Sequence, residues 1–368
     1  MTPGFSFDVR PEDTLWERLR RETRPIVLYG TGNGADKIID QLAQIGRTPD
    51  GVFASSGFVR TRTFRDMPVE SYEDVTARLG EDIVILIAFG SALPDVIGRM
   101  RELEARHTVY IPEVPLIGGE VFTYDYYARH REELAQVFAR LSDDTSRDLF
   151  YDMLRYRLGG RLSDLDRTED SGTSLSALVR TEEICTALDG GAFTGDSARV
   201  MLTVCPHLEK LLAVEPDERT FKKLSAFAET TSGVVIPVHG ALWDAEETLT
   251  YSASASRGAG INGNNRRART ANVPAMTAES LCAGISPDLI KLDVEGAEMR
   301  ALRGAESVIL RDQCTLAVSL YHRTEDLFAL PLYLAALCPD YRFYLRRVPC
   351  VPAWDLMLYA VPPHLCRN

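Results

Sequence analysis

Apolar positions along this chain fall into two separate strand–helix alternations. Residues 25–34, PIVLYGTGNG, read as a buried strand running into a glycine turn, and the following ADKIIDQLAQIG repeats Ile38, Ile39, Leu42 and Ile45 at helical spacing. PDGVFA, a helix near SYEDVTARL, the apolar run IVILIAF, a helix through LPDVIGRMREL and the strand HTVYI continue the pattern of a parallel sheet. A small α/β domain over residues 1–118 is the reading. From 119 to 180 the strand signals stop. There YDYYARHREELAQVFARL and SRDLFYDMLRYRL predict a helical connector, and the polar LGGRLSDLDRTEDSGTS predicts a mobile break.

The second alternation occupies residues 181–368. It runs from EEICTALDGG through LEKLLAVEP, GVVIPVHGALW, LIKLDVEG and LAVSLYH to YRFYL and DLMLYAV, which makes seven strands. The last two stand too close for a crossover helix and predict an antiparallel hairpin. Within this half, YSASASRGAGINGNNRRARTANVPAM is too polar for a core and predicts a loop over the crevice.

Composition narrows the picture. A chain of 368 residues, 45% hydrophobic, has enough apolar material for two α/β cores. No run reaches the roughly 18 apolar residues that span a bilayer, and the start lacks the regions of a secretion signal, so a cytoplasmic protein is expected. The seven cysteines contain no C-x-x-C pair, which excludes a zinc knuckle or disulfide framework as the organising element. A formal charge of −12 disfavours nucleic acid as partner and favours a small or neutral acceptor. A homo-oligomer is compatible with all of this.

The motif Leu188-Asp189-Gly190-Gly191-Ala192-Phe193-Thr194-Gly195-Asp196 follows a strand and opens a helix, so its glycines let backbone approach a ligand closely. Glu215, 26 positions after Asp189, ends the next strand, where a carboxylate can accept two ribose hydroxyls. Ala241, Leu242 and Trp243 after the third strand are candidates to line an adenine. A nucleoside-type site is the functional reading; a turn that merely packs strand on helix is the bland one. Because the turn carries its own acid, Asp189, placed to hold a methionine amino group, and lacks G-x-G-x-x-G, a methyl donor is favoured over NAD.

DGGAFTGDS, AVEPD and LIKLDVEGAEMRALRGA resemble the FkbM-type methyltransferases, and the similarity covers about residues 140–362. The resemblance implies a class I methyltransferase-like sheet, S-adenosylmethionine as donor and, usually, O-methylation of a sugar or a hydroxylated natural product. Gly190 stands where bulkier residues are common in that motif. The first domain is similar to small Rossmann-like domains attached to sugar-modifying enzymes. The whole is therefore read as two Rossmann-like domains joined by a helical connector.

Candidate chemistry lies at strand ends. Asp293, Glu295 and Glu298 in LDVEGAE could bind the acceptor, take its proton or ligate Mg²⁺, whereas Glu295 and Glu298 could equally be helix N-terminal acids, Glu298 at the surface. Lys291 could pair with one of them. His322 has the ordinary pKa of a general base and could alternatively be a metal ligand or a structural histidine. Tyr321 beside it, and Arg266 and Arg267 in the polar loop, are candidate acceptor-binding residues. His239 is expected near the cofactor.

In the first domain, Gly30, Gly32 and Gly34 form a second glycine turn that could hold a nucleotide-type ligand, with a turn at Pro68-Val69 further on. Its second strand ends in Phe53-Ala54-Ser55-Ser56 without a ribose-binding acid, which weighs against an NAD(P)-dependent oxidoreductase. A non-catalytic sensor of nucleotide or S-adenosylmethionine is the other alternative, and only turnover separates it from the enzyme.

Overall fold

The computed structural model describes residues 4–55, 63–253, 260–261 and 269–367. Its first sheet contains β1 (Ile26–Tyr29), β2 (Gly51–Phe53), β3 (Thr63–Phe64), β4 (Met67–Glu70), β5 (Val84–Ile87) and β6 (Thr108–Tyr110) in the order β3-β4-β2-β1-β5-β6. Strands β4, β2, β1, β5 and β6 are parallel, and only β3 is reversed. The expectation had four of these six strands. The missed pair is too short for a periodic signal, and Pro68-Val69 belongs to β4, the turn being Arg65-Asp66 with φ of 48° and 64°.

The second sheet has seven strands: β7 (Thr186–Gly190), β8 (Lys210–Glu215), β9 (Val235–His239), β14 (Leu289–Leu292), β15 (Thr315–Ser319), β16 (Arg342–Arg347) and β17 (Leu356–Val361). Their order is β16-β17-β15-β14-β7-β8-β9, and β16 and β17 form the expected antiparallel hairpin. A smaller sheet, ordered β10-β13-β11-β12, was not foreseen. It comprises β10 (Ala241–Leu242), β11 (Glu247–Ala253), β12 (Gly260–Ile261) and β13 (Arg269–Met276). The polar stretch expected as one loop thus itself contains paired strands, because Leu249, Val273 and Ala275 supply a small buried face under the alternating polar positions.

Between the large sheets run the helices Tyr124–Arg129, Arg131–Arg140, Asp144–Gly159 and Ser171–Leu178. The predicted mobile break is instead packed. Leu162 and Leu165 are buried, the Glu169 amide donates to the Arg347 carbonyl at 2.8 Å, and Asp170 caps the helix that follows.

Alternation along the strands shows where the cores lie. In β1, Ile26 and Leu28 face one apolar cluster while Val27 and Tyr29 face another; in β8, Leu211 and Ala213 oppose Leu212 and Val214 in the same way. Both faces of each sheet are covered, as parallel strands require. Two separate cores were expected. Instead the inner face of each sheet joins one continuous cluster through connector residues such as Phe138, Phe150 and Met153. No helix among the described residues is long and apolar enough to cross a membrane.

Candidate active site

In the seven-stranded sheet the chain runs outward from β7 through β8 and β9 on one side, and from β14 to β15 on the other, so the order reverses between β7 and β14. Ligands of open α/β sheets sit at such a reversal, beyond the carboxyl ends of the strands. A cleft of about 690 Å³ opens there, lined among others by Gly191, Ala192, Phe193, Asp196, Glu215, Ala241, Leu242, Lys291, Asp293, Glu295 and Tyr321. Gly191 has φ of 75°, and a Cβ on it would lie 1.8 Å from the Asp293 carbonyl oxygen, so only glycine lets the two strand ends meet. A Cβ on Gly190 would already be 2.5 Å from Leu242, so glycine here leaves the space Leu242 fills.

Glu215 is held at the end of β8 by backbone. Its carboxylate accepts N–H bonds from Phe193 at 3.0 Å and Asp217 at 2.8 Å. Burial pushes its pKa up to about 7, against the lowering by those two amides. Two lone pairs remain for hydroxyl donors at the cleft. Phe193 stands on the rim with φ of 48° and is 57% exposed.

Several expected cofactor residues sit behind the cleft surface. Asp189 is fully buried, 3.1 Å from the Lys291 ammonium, and accepts the Ser197 hydroxyl. It anchors the turn and offers no face to a ligand. Gly190 is likewise buried, and Gly195 serves as the N-cap of helix Asp196–Val204. Trp243 does not line the cleft: its indole donates to Glu247 at 2.8 Å and packs under the Arg300 guanidinium. His239 packs its ring against Phe221 and lies 3.2 Å from the carbonyl of the cleft-lining Pro216, beside the cleft as expected. Lys291, read from sequence as a partner of the neighbouring acids, is nearer Asp189 than Asp293, which is 3.9 Å away. Asp217 was missed; it caps helix Glu218–Ala228 and borders the cleft, and its place after Glu-Pro was the available signal.

Four acids surround His322, which has no solvent-exposed surface. Its Nδ1 lies 2.9 Å from Glu298, and its Nε2 3.6 Å from both Asp293 and Glu295. Asp326 closes the cluster, its carboxyl pushed up to about 7 by burial and by Glu298. Burial would lower the pKa of His322, yet Glu298, Asp293 and Glu295 together lift it to about 10. The ring is therefore an imidazolium at neutral pH, which corrects the expectation of a neutral general base. Glu298, expected at the surface, is 1% exposed and accepts the Val294 amide at 2.9 Å.

Ligand atoms of Asp293, Glu298 and His322 lie within 4.8 Å of one another. This set does not fit Mg²⁺. That ion keeps several waters in an octahedral shell, whereas Glu298 and His322 are sealed from solvent.

Asp293 combines access to the cleft with a fixed orientation. Burial would raise its pKa, but Lys291 and His322 hold it below the usual carboxylate range. The Tyr321 hydroxyl donates to it at 2.8 Å. Arg266 and Arg267 lie outside the described residues. In the first sheet, β2 runs out at Phe53, and the Ser55 hydroxyl shares a 2.5 Å hydrogen bond with Tyr29, so the ribose-binding acid of a dinucleotide site is not at this strand end.

A doubly wound sheet with a reversed last strand, a glycine turn at its switch point and a buried acid ending the next strand define the class: a Rossmann-like domain of the methyltransferase type. The profile of the methyltransferase FkbM domain matches residues 189–347, so this part of the chain is similar to that domain. A solved methyltransferase FkbM from Methylobacillus flagellatus KT superposes with a TM-score of 0.66 at 18% identity, covering 94% of this chain and 92% of the other; the shared fold thus includes the first domain and the connector. An rRNA methylase from Streptococcus thermophilus aligns with a TM-score of 0.34 at 11% identity over 52% of this chain and 93% of its own. Aeropyrum pernix fibrillarin, solved with natively bound S-adenosyl-L-methionine, aligns with a TM-score of 0.32 at 14% identity over 52% of this chain and 73% of its own. No curated protein matches the sequence.

Proposed function

We propose that the chain is an S-adenosylmethionine-dependent O-methyltransferase that modifies a hydroxyl of a saccharide, nucleotide sugar or glycosylated metabolite. Residues 1–118 form its accessory domain, 119–180 the connector and 181–368 the catalytic domain. The observation that carries this reading is the buried Glu215 facing the Gly191-Ala192-Phe193 turn across the cleft that also exposes Asp293.

The residues present fit the donor. Glu215 would accept the ribose hydroxyls, and Ala241 and Leu242 would give the adenine an apolar wall. When bound, S-adenosylmethionine supplies an electrophilic methyl group on a positively charged sulfur. Asp293, which lines the cleft, would take the proton of the acceptor hydroxyl as that oxygen receives the methyl group. A carboxylate of low pKa suffices, because the hydroxyl becomes strongly acidic as its new bond forms. Tyr321 orients Asp293, and buried His322 and Lys291 keep it ionised. Much of the acceleration then comes from holding acceptor and methyl group in line.

Calorimetric titration with S-adenosylmethionine, S-adenosylhomocysteine, NAD⁺ and NADP⁺ tests this. The first two should bind to the native chain and not to Glu215→Ala. Binding of a dinucleotide alone would refute the reading.

A further inference from the structure

A second cleft, of about 450 Å³, opens beyond the carboxyl ends of β1, β5 and β6. One wall belongs to the first sheet, at Gly32, Asn33 and Phe89 to Ser91; the other is the loop between β16 and β17 of the methyltransferase domain, including Trp354. The walls are fastened together. The Ser91 amide donates to the Val351 carbonyl at 2.7 Å, and the Val351 amide returns a bond to the Ser91 carbonyl at 2.9 Å. Trp354 lies so close over Gly90 that a Cβ there would come within 2.0 Å of its ring. Tyr321 lines both this cleft and the donor cleft. The two cavities therefore meet at the residue whose hydroxyl orients Asp293.

We infer that this composite cleft is the acceptor subsite, and that it takes a neutral, hydroxylated ring of the saccharide type with the reacting hydroxyl directed past Tyr321 to Asp293. The inference rests on the methyltransferase reading and adds to it the place and chemistry of acceptor binding. Phe89 and Trp354 supply aromatic surface for the apolar side of a sugar ring, while Asn33, Ser91 and Glu113 supply the few polar groups that fix orientation in such a pocket. The lining is poorly suited to phosphate. The Lys37 ammonium is committed to the Pro115 and Leu116 carbonyls, and burial pulls its pKa down. Glu113, 3.1 Å from the Arg157 side chain, already takes that cation. A first domain without a ribose-binding acid thereby gains a role: it supplies half of the wall that presents the acceptor.

Gly32 provides a clean perturbation. It borders this cleft and not the donor cleft, its φ is −93°, and a Cβ there meets nothing within 4 Å, so the backbone accepts a side chain and Gly32→Phe adds bulk at the cleft rim. The full-length chain, saturated with S-adenosylhomocysteine, is titrated with methyl glycosides of glucose, galactose, mannose and rhamnose, with N-acetylglucosamine and with UDP-glucose; release of S-adenosylhomocysteine from S-adenosylmethionine is followed with the same panel. The expected result is binding and turnover of at least one neutral glycoside, an acceptor KM raised at least tenfold in Gly32→Phe, and S-adenosylhomocysteine affinity unchanged within twofold. Asn33→Ala, on the same wall, should raise that KM more mildly, so the subsite remains testable if Gly32→Phe fails to fold. Equal acceptor KM in the native chain and both variants would overturn the inference. So would S-adenosylhomocysteine binding with no neutral glycoside bound or turned over. Binding of UDP-glucose alone would overturn its neutral-ring chemistry, and no S-adenosylhomocysteine binding at all would remove the methyltransferase reading beneath it.

Discussion

Replacing His322 by asparagine removes the cation that Glu298, Asp293 and Glu295 enclose at 2.9, 3.6 and 3.6 Å. The fully buried ring has its pKa lifted from 6.5 to about 10. At about 1.4 kcal/mol per unit, that shift corresponds to roughly 5 kcal/mol of favourable interaction in the charged form. Stripping one partner from a buried ion pair typically costs about 3–5 kcal/mol, which agrees in scale. The sign follows from the folded pKa lying above the unfolded one. The stabilisation is complete below pH 6.5, shrinks as pH rises and is lost above about pH 10. His322→Asn should therefore be most destabilised relative to the native chain at pH 6 and nearly level with it above pH 10. Amide hydrogen exchange in β14 and β15, compared at pH 6 and pH 8, reads this locally without assuming that the whole chain unfolds in one step. Equal protection of native and variant at pH 6 would refute the reasoning, as would a deficit that grows with pH. A turnover profile with an apparent pKa near 6.5 that vanishes in the variant would restore the general base.

Two further outcomes follow from the donor side of the cleft. Glu215, with its pKa at about 7, should lose acceptor capacity as pH falls, so S-adenosylhomocysteine affinity measured by calorimetry should drop from pH 8 to pH 5.5, and the weaker binding of Glu215→Gln should stay flat over that range. Gly191→Ala places a Cβ 1.8 Å from the Asp293 carbonyl at φ of 75°, so it should cost about 2 kcal/mol or more of stability and weaken donor binding at least tenfold; a thermal midpoint and affinity equal to native would contradict the close approach.

How far the sequence could be read depended on how local each signal was. Strands β7, β8, β14 and β15 are buried on both faces and stand out as apolar runs, and the short spacing between β16 and β17 leaves a hairpin as the only simple connection. Glu215 was legible because a strand end following a glycine turn fixes its position along the chain. Strands β3, β4 and β10 were not, since two to four residues carry no measurable period. The arms of the polar loop hid their pairing because one face of that small sheet is mostly hydrophilic.

Side-chain direction was the harder quantity. Asp189 and Trp243 lie at cleft level in the sequence, yet one turns inward to Lys291 and the other outward to Glu247, choices set by partners 102 and 4 residues away. The sequence by itself determined the two strand–helix alternations, the helical stretches between them and the long apolar strands such as β8 and β14, because these follow from burial patterns within a single element. Tertiary structure alone decided that His322 is a sealed imidazolium, that Tyr321 joins two clefts, and that the two sheets share one core. Those properties depend on charges and surfaces brought together from distant parts of the chain, and local periodicity carries no record of them.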